Sequence, residues 1–162
     1  MSNIIVCNSE YTDKNSVYDV LHYIVKPKQI NTYIDWYGLG VLESSIQNAS
    51  DSFLAIKKIY GKEDGKQLHH FVISPYTGFP MNIAIIHLIG FQILQYVYDI
   101  GFQGVIAYHG NTFTPHIHIV INSISYKDGS RLNNIKAFYN KLLYFLKYYY
   151  GNLKWEDGVI YK

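Results

Sequence analysis

The stretch Ala107-Tyr108-His109-Gly110-Asn111-Thr112-Phe113-Thr114-Pro115-His116-Ile117-His118-Ile119-Val120-Ile121-Asn122 constrains the fold of this chain more than any other. His116 and His118 are two residues apart, so on a strand they project from one face. Ile117, Ile119 and Ile121 then line the other face and require an apolar layer against it. The preceding run, Val105 to Tyr108, is apolar and ends in His109. A short turn containing Gly110, Asn111 and Pro115 can fold that run back toward the pair. Three imidazoles would then converge on one point and leave coordination positions open for substrate. Any one of these histidines reads equally well as an ordinary strand residue; the set of three, trailed by Asn122, does not. Imidazole nitrogen suits zinc, manganese, nickel or iron, whereas magnesium would be an unusual partner for three nitrogens.

Two earlier segments belong with this one: Leu68-His69-His70-Phe71-Val72-Ile73-Ser74, with an H-x-x-x-S pattern, and Val20-Leu21-His22-Tyr23-Ile24-Val25-Lys26-Pro27-Lys28. In order and approximate spacing the three segments resemble the histidine-hydrophobic-histidine (HUH) endonucleases. Within them they resemble most the MobA/VirD2 group of plasmid relaxases, where an "AYH" strand end precedes an "HxHxVxN" strand. The resemblance runs from about Asn3 to Trp155, and its histidine motif is the specific part.

The resemblance implies a metal-dependent, site-specific nickase of single-stranded DNA that initiates plasmid mobilisation at an origin of transfer, or rolling-circle replication. It implies a divalent ion held by His109, His116 and His118, with manganese or magnesium in function and zinc or nickel also suited to the site. It places the nucleophile at Tyr23, which would form a 5′-phosphotyrosine. By helical geometry Tyr23 sits at the edge of an apolar stripe formed by Val17, Val20, Leu21 and Ile24, and can reach across a sheet while its helix stays docked. Tyr18 and His22 are the alternatives on the same helix. Asp19, one turn earlier, could orient the phenol or accept its proton, or be a solvated carboxylate. His70 shares a strand face with Leu68, Val72 and Ser74 and could support the metal site, bind phosphate or make a structural hydrogen bond. Asn122 has the parity of His116 and His118 and could orient a ligand or end the strand. His69 and His87 receive no role.

Two other readings stay open. A single-tyrosine transposase of the same superfamily would carry its nucleophile on a helix after the histidine pair, where Tyr139, Tyr144 and Tyr148 to Tyr150 stand. A non-catalytic DNA-binding accessory or structural metal protein is the third, although three histidines without a fourth protein ligand argue against a purely structural ion.

Composition fits this picture without selecting it. With 162 residues, 49% hydrophobic and 16% charged, the chain is expected to form a single folded domain over its whole length. A formal charge of +2 and one arginine, Arg131, give only faint electrostatic support for DNA. The 17 tyrosines offer stacking platforms for bases, or reflect AT-rich codon usage. Cys7 is the one cysteine, which excludes an internal disulfide and suits a reducing cytoplasm. The longest apolar stretch, Met81 to Tyr98, contains His87, Gln92 and Gln95 and is too short and polar for a membrane span. No signal-peptide pattern is present. Single-stranded DNA is the expected partner, with accessory DNA-processing proteins besides. The chain ends soon after the nuclease-like part, as a stand-alone enzyme or an excised domain would.

Periodicity and punctuation predict strands over 3–8, 68–74, 103–109 and 116–125. They predict helices over about 15–25, 41–60 (with a possible break at Ser50-Asp51-Ser52), 82–100 and 133–150. Residues 28–40 read as irregular and 152–162 as a tail with a short strand. The sum is α+β: a central antiparallel β-sheet with helices packed on one face.

Overall fold

Strands buried at nearly every position need cover on both sides, and Gly104–His109 and His116–Asn122 are buried in this way. The computed structural model describes residues 1–26, 34–76, 78, 82–110 and 114–162. Its elements are β1 (Asn3–Val6), α1 (Ser16–Val25), β2 (Ile34–Leu39), α2 (Ile46–Ile59), β3 (Leu68–Ser74), α3 (Ile83–Asp99), β4 (Gly104–His109), β5 (His116–Asn122), α4 (Ile135–Tyr149) and β6 (Ile160–Tyr161). The strands form one sheet in the order β2-β4-β5-β3-β1-β6. Each neighbouring pair is antiparallel except β1–β6, which is parallel.

The sheet has two differently used faces. Register sets His118 opposite Ala107 on β4 and Val72 on β3, so these residues share a face. On that face α1 and α2 bring Val17, Leu21, Ile24, Ala49 and Phe53 against Leu68, Val105, Ala107 and Val120. On the opposite face α3 and α4 bring Ile86, Ile89, Ile93, Leu142 and Leu146 against Phe71, Ile117, Ile119 and Ile121. The sequence reading put all helices on one face. Val105, Ala107 and Val120 share the histidines' parity and need cover too, which the isoleucines of β5 alone do not reveal. Gly90 sets how closely α3 lies on the sheet: a Cβ there would stand 3.2 Å from the Cδ1 atoms of both Ile106 and Ile117.

Several boundaries differ from the expected ones for local reasons. Ile34–Leu39, expected as irregular, pairs along its length with β4 as the edge strand. Gly38 and Gly40 suggested a loop, but Gly38 is required in the strand, because a Cβ there would fall 2.3 Å from Val41 Cγ2. Helix α2 starts at Ile46 rather than near Val41, capped by Ser45, whose Oγ accepts from Asn48 N at 3.0 Å. It runs unbroken through Ser50-Asp51-Ser52, where Ser52 Oγ donates to Asn48 O at 2.8 Å. The expected helix stop at Pro27 and the turn residue Asn111 lie outside the described residues. Among the described residues no helix is long and apolar enough to cross a membrane.

One buried polar network braces α2 against the sheet. Lys57 Nζ donates to Gln67 O at 2.7 Å, to Ser123 Oγ at 3.0 Å and to Asn122 Oδ1. Asn122 Nδ2 in turn donates to Phe53 O at 3.1 Å and Gln103 Oε1 at 2.7 Å. Asn122 therefore spends these hydrogen bonds inside the fold. Burial, with a smaller contribution from Arg131, pushes the Lys57 ammonium down to about 7. An unfolded lysine titrates near ~10.4. Between those values the unfolded chain holds a proton that the folded chain lacks. The contribution of Lys57 to stability thus grows as pH rises above that folded value and is lost as pH falls through it. Urea midpoints of the wild type should rise relative to those of Lys57→Met between pH 7 and 9; parallel midpoints would show that Lys57 stays charged.

Candidate active site

Pairing of β4 with β5 sets His109 directly opposite His116, and His118 opposite Ala107. The two strands thereby carry three imidazoles to one corner of the sheet, each offering a nitrogen within 4.8 Å of the others. Ring centroids are 4.6 Å apart for His109–His118, 5.0 Å for His109–His116 and 5.1 Å for His116–His118. His109 and His118 are buried and His116 is half-buried, so the group opens to solvent on one side.

The outer nitrogens explain why the inner ones converge. His109 Nε2 meets the backbone oxygen of Ile24 at 2.5 Å, and His116 Nδ1 meets that of Thr114 at 2.8 Å. A carbonyl only accepts, so His109 carries hydrogen on Nε2 and His116 on Nδ1. In the neutral ring that binds a metal, the lone pair is then on Nδ1 of His109 and on Nε2 of His116. His118 Nδ1 lies 2.9 Å from His70 Nε2, which leaves Nε2 of His118 as its other nitrogen. Neutral imidazoles with their hydrogens held outward are what a divalent transition-metal ion requires, so the residues present fit the implied cation.

The same bond ties the helix α1 to this corner. Ile24 is in the last turn of α1, where backbone carbonyls lack helical partners. His109 satisfies one of them, and the negative end of the helix dipole faces the cluster, which favours a cation. Tyr23, one residue earlier, is 47% exposed, and its ring stands edge-on to His118 with centroids 6.1 Å apart. A cleft of about 490 Å³ opens here, lined among others by Tyr11, Asp19, Tyr23, His70 and His118. Asp19 thus shares the cleft with Tyr23.

The remaining candidates sort by location. Tyr18 and His22 are exposed and stack on each other, with centroids 5.6 Å apart, and neither is among the residues lining the cleft. His69 points to the opposite face, where burial, then Lys66 and Lys57, lower it to about 4 and keep it neutral. His87 is also on that side, 4.3 Å from the Tyr108 ring. The α4 tyrosines lie across the sheet from the histidines: Tyr139 is buried against Phe71, and Tyr144, Tyr148 and Tyr149 face solvent. Tyr11 was missed by sequence reasoning, which had no motif or periodicity to find it. It lies in the loop between β1 and α1 with a left-handed backbone, φ 50°.

The family model described as "Relaxase: MobA/VirD2-like, nuclease domain" matches residues 23–147. The chain belongs to this relaxase family. Among curated proteins, protein rlx of Staphylococcus aureus is 32% identical over 97 residues, which is 60% of this chain and 29% of that protein. The relaxase-like chain thus spans less than a third of the relative's length in that match. No solved structure matches it. The α+β fold with a central sheet and helices packed on it agrees with the relaxase nuclease domain.

Metal addition should raise the melting temperature of this relaxase domain. Occupancy at 100 times Kd adds about 2.7 kcal/mol, or roughly 5–10 °C for a chain of this size. His116→Ala should abolish the shift with little change in the metal-free melting temperature. His109→Ala should abolish it and also lower the metal-free value, because the Ile24 carbonyl loses its donor. A full shift in both variants, read by scanning calorimetry with manganese or zinc, would place the ion elsewhere.

Proposed function

We propose that this chain is a metal-dependent relaxase that nicks single-stranded DNA at a specific site by transesterification, with Tyr23 as nucleophile. Its role would be to open a plasmid strand at an origin of transfer, alongside accessory DNA-processing proteins; a rolling-circle replication origin would use the same chemistry. The observation that carries the reading is the placement of Tyr23 beside His118, on the helix end that His109 holds through Ile24 O.

The proposed reaction follows from the residues in the cleft. His109, His116 and His118 would hold a divalent ion, which would supply Lewis-acid stabilisation of the charge that develops on the phosphate. The Tyr23 oxygen attacks phosphorus in line with the 3′-oxygen and gives up its proton, for which Asp19 is the carboxylate in the same cleft. The P–O3′ bond breaks, the 3′-oxygen leaves as a hydroxyl after taking up a proton, and the 5′-phosphate remains esterified to Tyr23. The phosphodiester bond energy is kept in that ester, so the strand can be rejoined by the reverse attack. The α4 tyrosines, which a transposase-like arrangement would use, are on the far side of the sheet and take no part.

The test is a pool of single-stranded oligonucleotides that includes the cognate origin, incubated with protein and manganese and run on a denaturing protein gel. A slower covalent adduct is expected from the wild type, lost in EDTA and reduced at least about 10³-fold in Tyr23→Phe, as for removal of a covalent nucleophile. An adduct that survives Tyr23→Phe would move the nucleophile to His22 or Tyr18. Absence of any adduct from folded, metal-loaded protein would favour a non-catalytic DNA-binding role.

A further inference from the structure

Backbone carbonyls accept from the outer nitrogens of two of the three candidate ligands, His109 and His116. The outer nitrogen of His118 faces another imidazole, His70 Nε2 at 2.9 Å, and an imidazole nitrogen can either donate or accept. The far nitrogen of His70, Nδ1, lies 3.4 Å from the hydroxyl of Tyr11, a group with the same ambivalence. The His70 and His118 rings are both buried and stack at 30° with centroids 5.2 Å apart. Tyr11 is fixed from its own side: its carbonyl accepts from Gln67 N at 2.8 Å and its backbone is held left-handed. The result is a chain of three side chains, from β5 through β3 to the β1–α1 loop, ending in the cleft that Tyr23 lines.

We propose that His70 is a positioning residue, and Tyr11 its anchor, that together hold His118 in the tautomer able to bind the ion. This rests on the proposed reading of the histidine cluster as a metal centre. For His118 Nε2 to offer a lone pair, Nδ1 must carry the hydrogen and donate it to His70 Nε2. His70 must then carry its own hydrogen on Nδ1 and donate it to the Tyr11 oxygen. The opposite setting, with His70 Nε2 donating to His118 Nδ1, places hydrogen on His118 Nε2 and closes the ligand position. Binding of the ion and the direction of the whole chain are therefore linked. When the ion is bound, the Tyr11 oxygen is an acceptor toward His70, and its hydroxyl hydrogen points away from the histidines.

The test uses zinc, which is diamagnetic, and the intact chain. Long-range proton–nitrogen spectra should show His118 protonated on Nδ1 and His70 on Nδ1 in the zinc-loaded wild type. By calorimetry, His70→Leu, which offers no acceptor, should bind zinc about 10–100-fold more weakly, the usual effect of losing a ligand's hydrogen-bond partner. His70→Gln, whose amide oxygen can accept from His118 Nδ1, should recover most of that loss. Tyr11→Phe should leave zinc affinity within that range but mix the two tautomers of His70. Zinc binding by folded His70→Leu within twofold of the wild type would overturn the proposal, as would hydrogen on His70 Nε2 in the zinc-loaded wild type. If His70→Leu does not fold, the wild-type tautomers still decide. A wild type that takes up no zinc would remove the metal-centre reading itself. A wild type that binds zinc with folded His70→Leu equal to it would remove only the roles of His70 and Tyr11.

Discussion

The site depends on one imidazole with two obligations. His109 ends β4, and its Nε2 donates to the carbonyl of Ile24 in the last turn of α1. That bond satisfies an orphan acceptor at a helix end and ties the turn of α1 that carries Tyr23 to the strand end that carries His109. Helix packing alone would leave the end of α1 free to fray. The bond links the helix that bears the proposed nucleophile directly to the strand that bears a proposed ligand. A change at residue 109 is therefore felt twice, in ion binding and in the position of Tyr23.

The sheet divides labour by face. On the far face β5 presents only Ile117, Ile119 and Ile121 to α3 and α4, an apolar layer with no polar demand. On the near face the same strand carries His116 and His118 at one end and Asn122 at the other, with Val120 between them. The Asn122 end is closed by α2 and by Lys57; the histidine end is left uncovered beside α1. Burying a lysine costs free energy unless its hydrogens are taken up, and Gln67, Asn122 and Ser123 take up those of Lys57. The closed end holds the register that keeps His109 opposite His116; a slip of one residue would turn all of these side chains to the other face.

Much of this was legible in the sequence where a period or a cap carries the signal. The alternation around His116 and His118 identified β5, the apolar stripe identified α1, and the long apolar run identified α3. What was not legible depends on partners distant in the chain. The edge strand β2 has glycines that read as a loop until β4 supplies hydrogen bonds. Cover on both faces followed from Val105, Ala107 and Val120, which alternation arguments centred on the histidines passed over. Asn122 shares the parity of the histidines, but parity cannot say how far along the strand a group acts; its amide is engaged by Lys57, Phe53 and Gln103 instead. Tyr11 carried no sequence signal, because its place in the cleft comes from a single left-handed residue in a loop.

The most direct test of this account is a manganese-loaded crystal measured at the metal's absorption edge. The account predicts one anomalous peak bonded to His109 Nδ1, His116 Nε2 and His118 Nε2, with the Ile24 carbonyl still on His109 Nε2 and the Tyr23 ring facing the ion. An ion bound through His109 Nε2, with the end of α1 released, would contradict it.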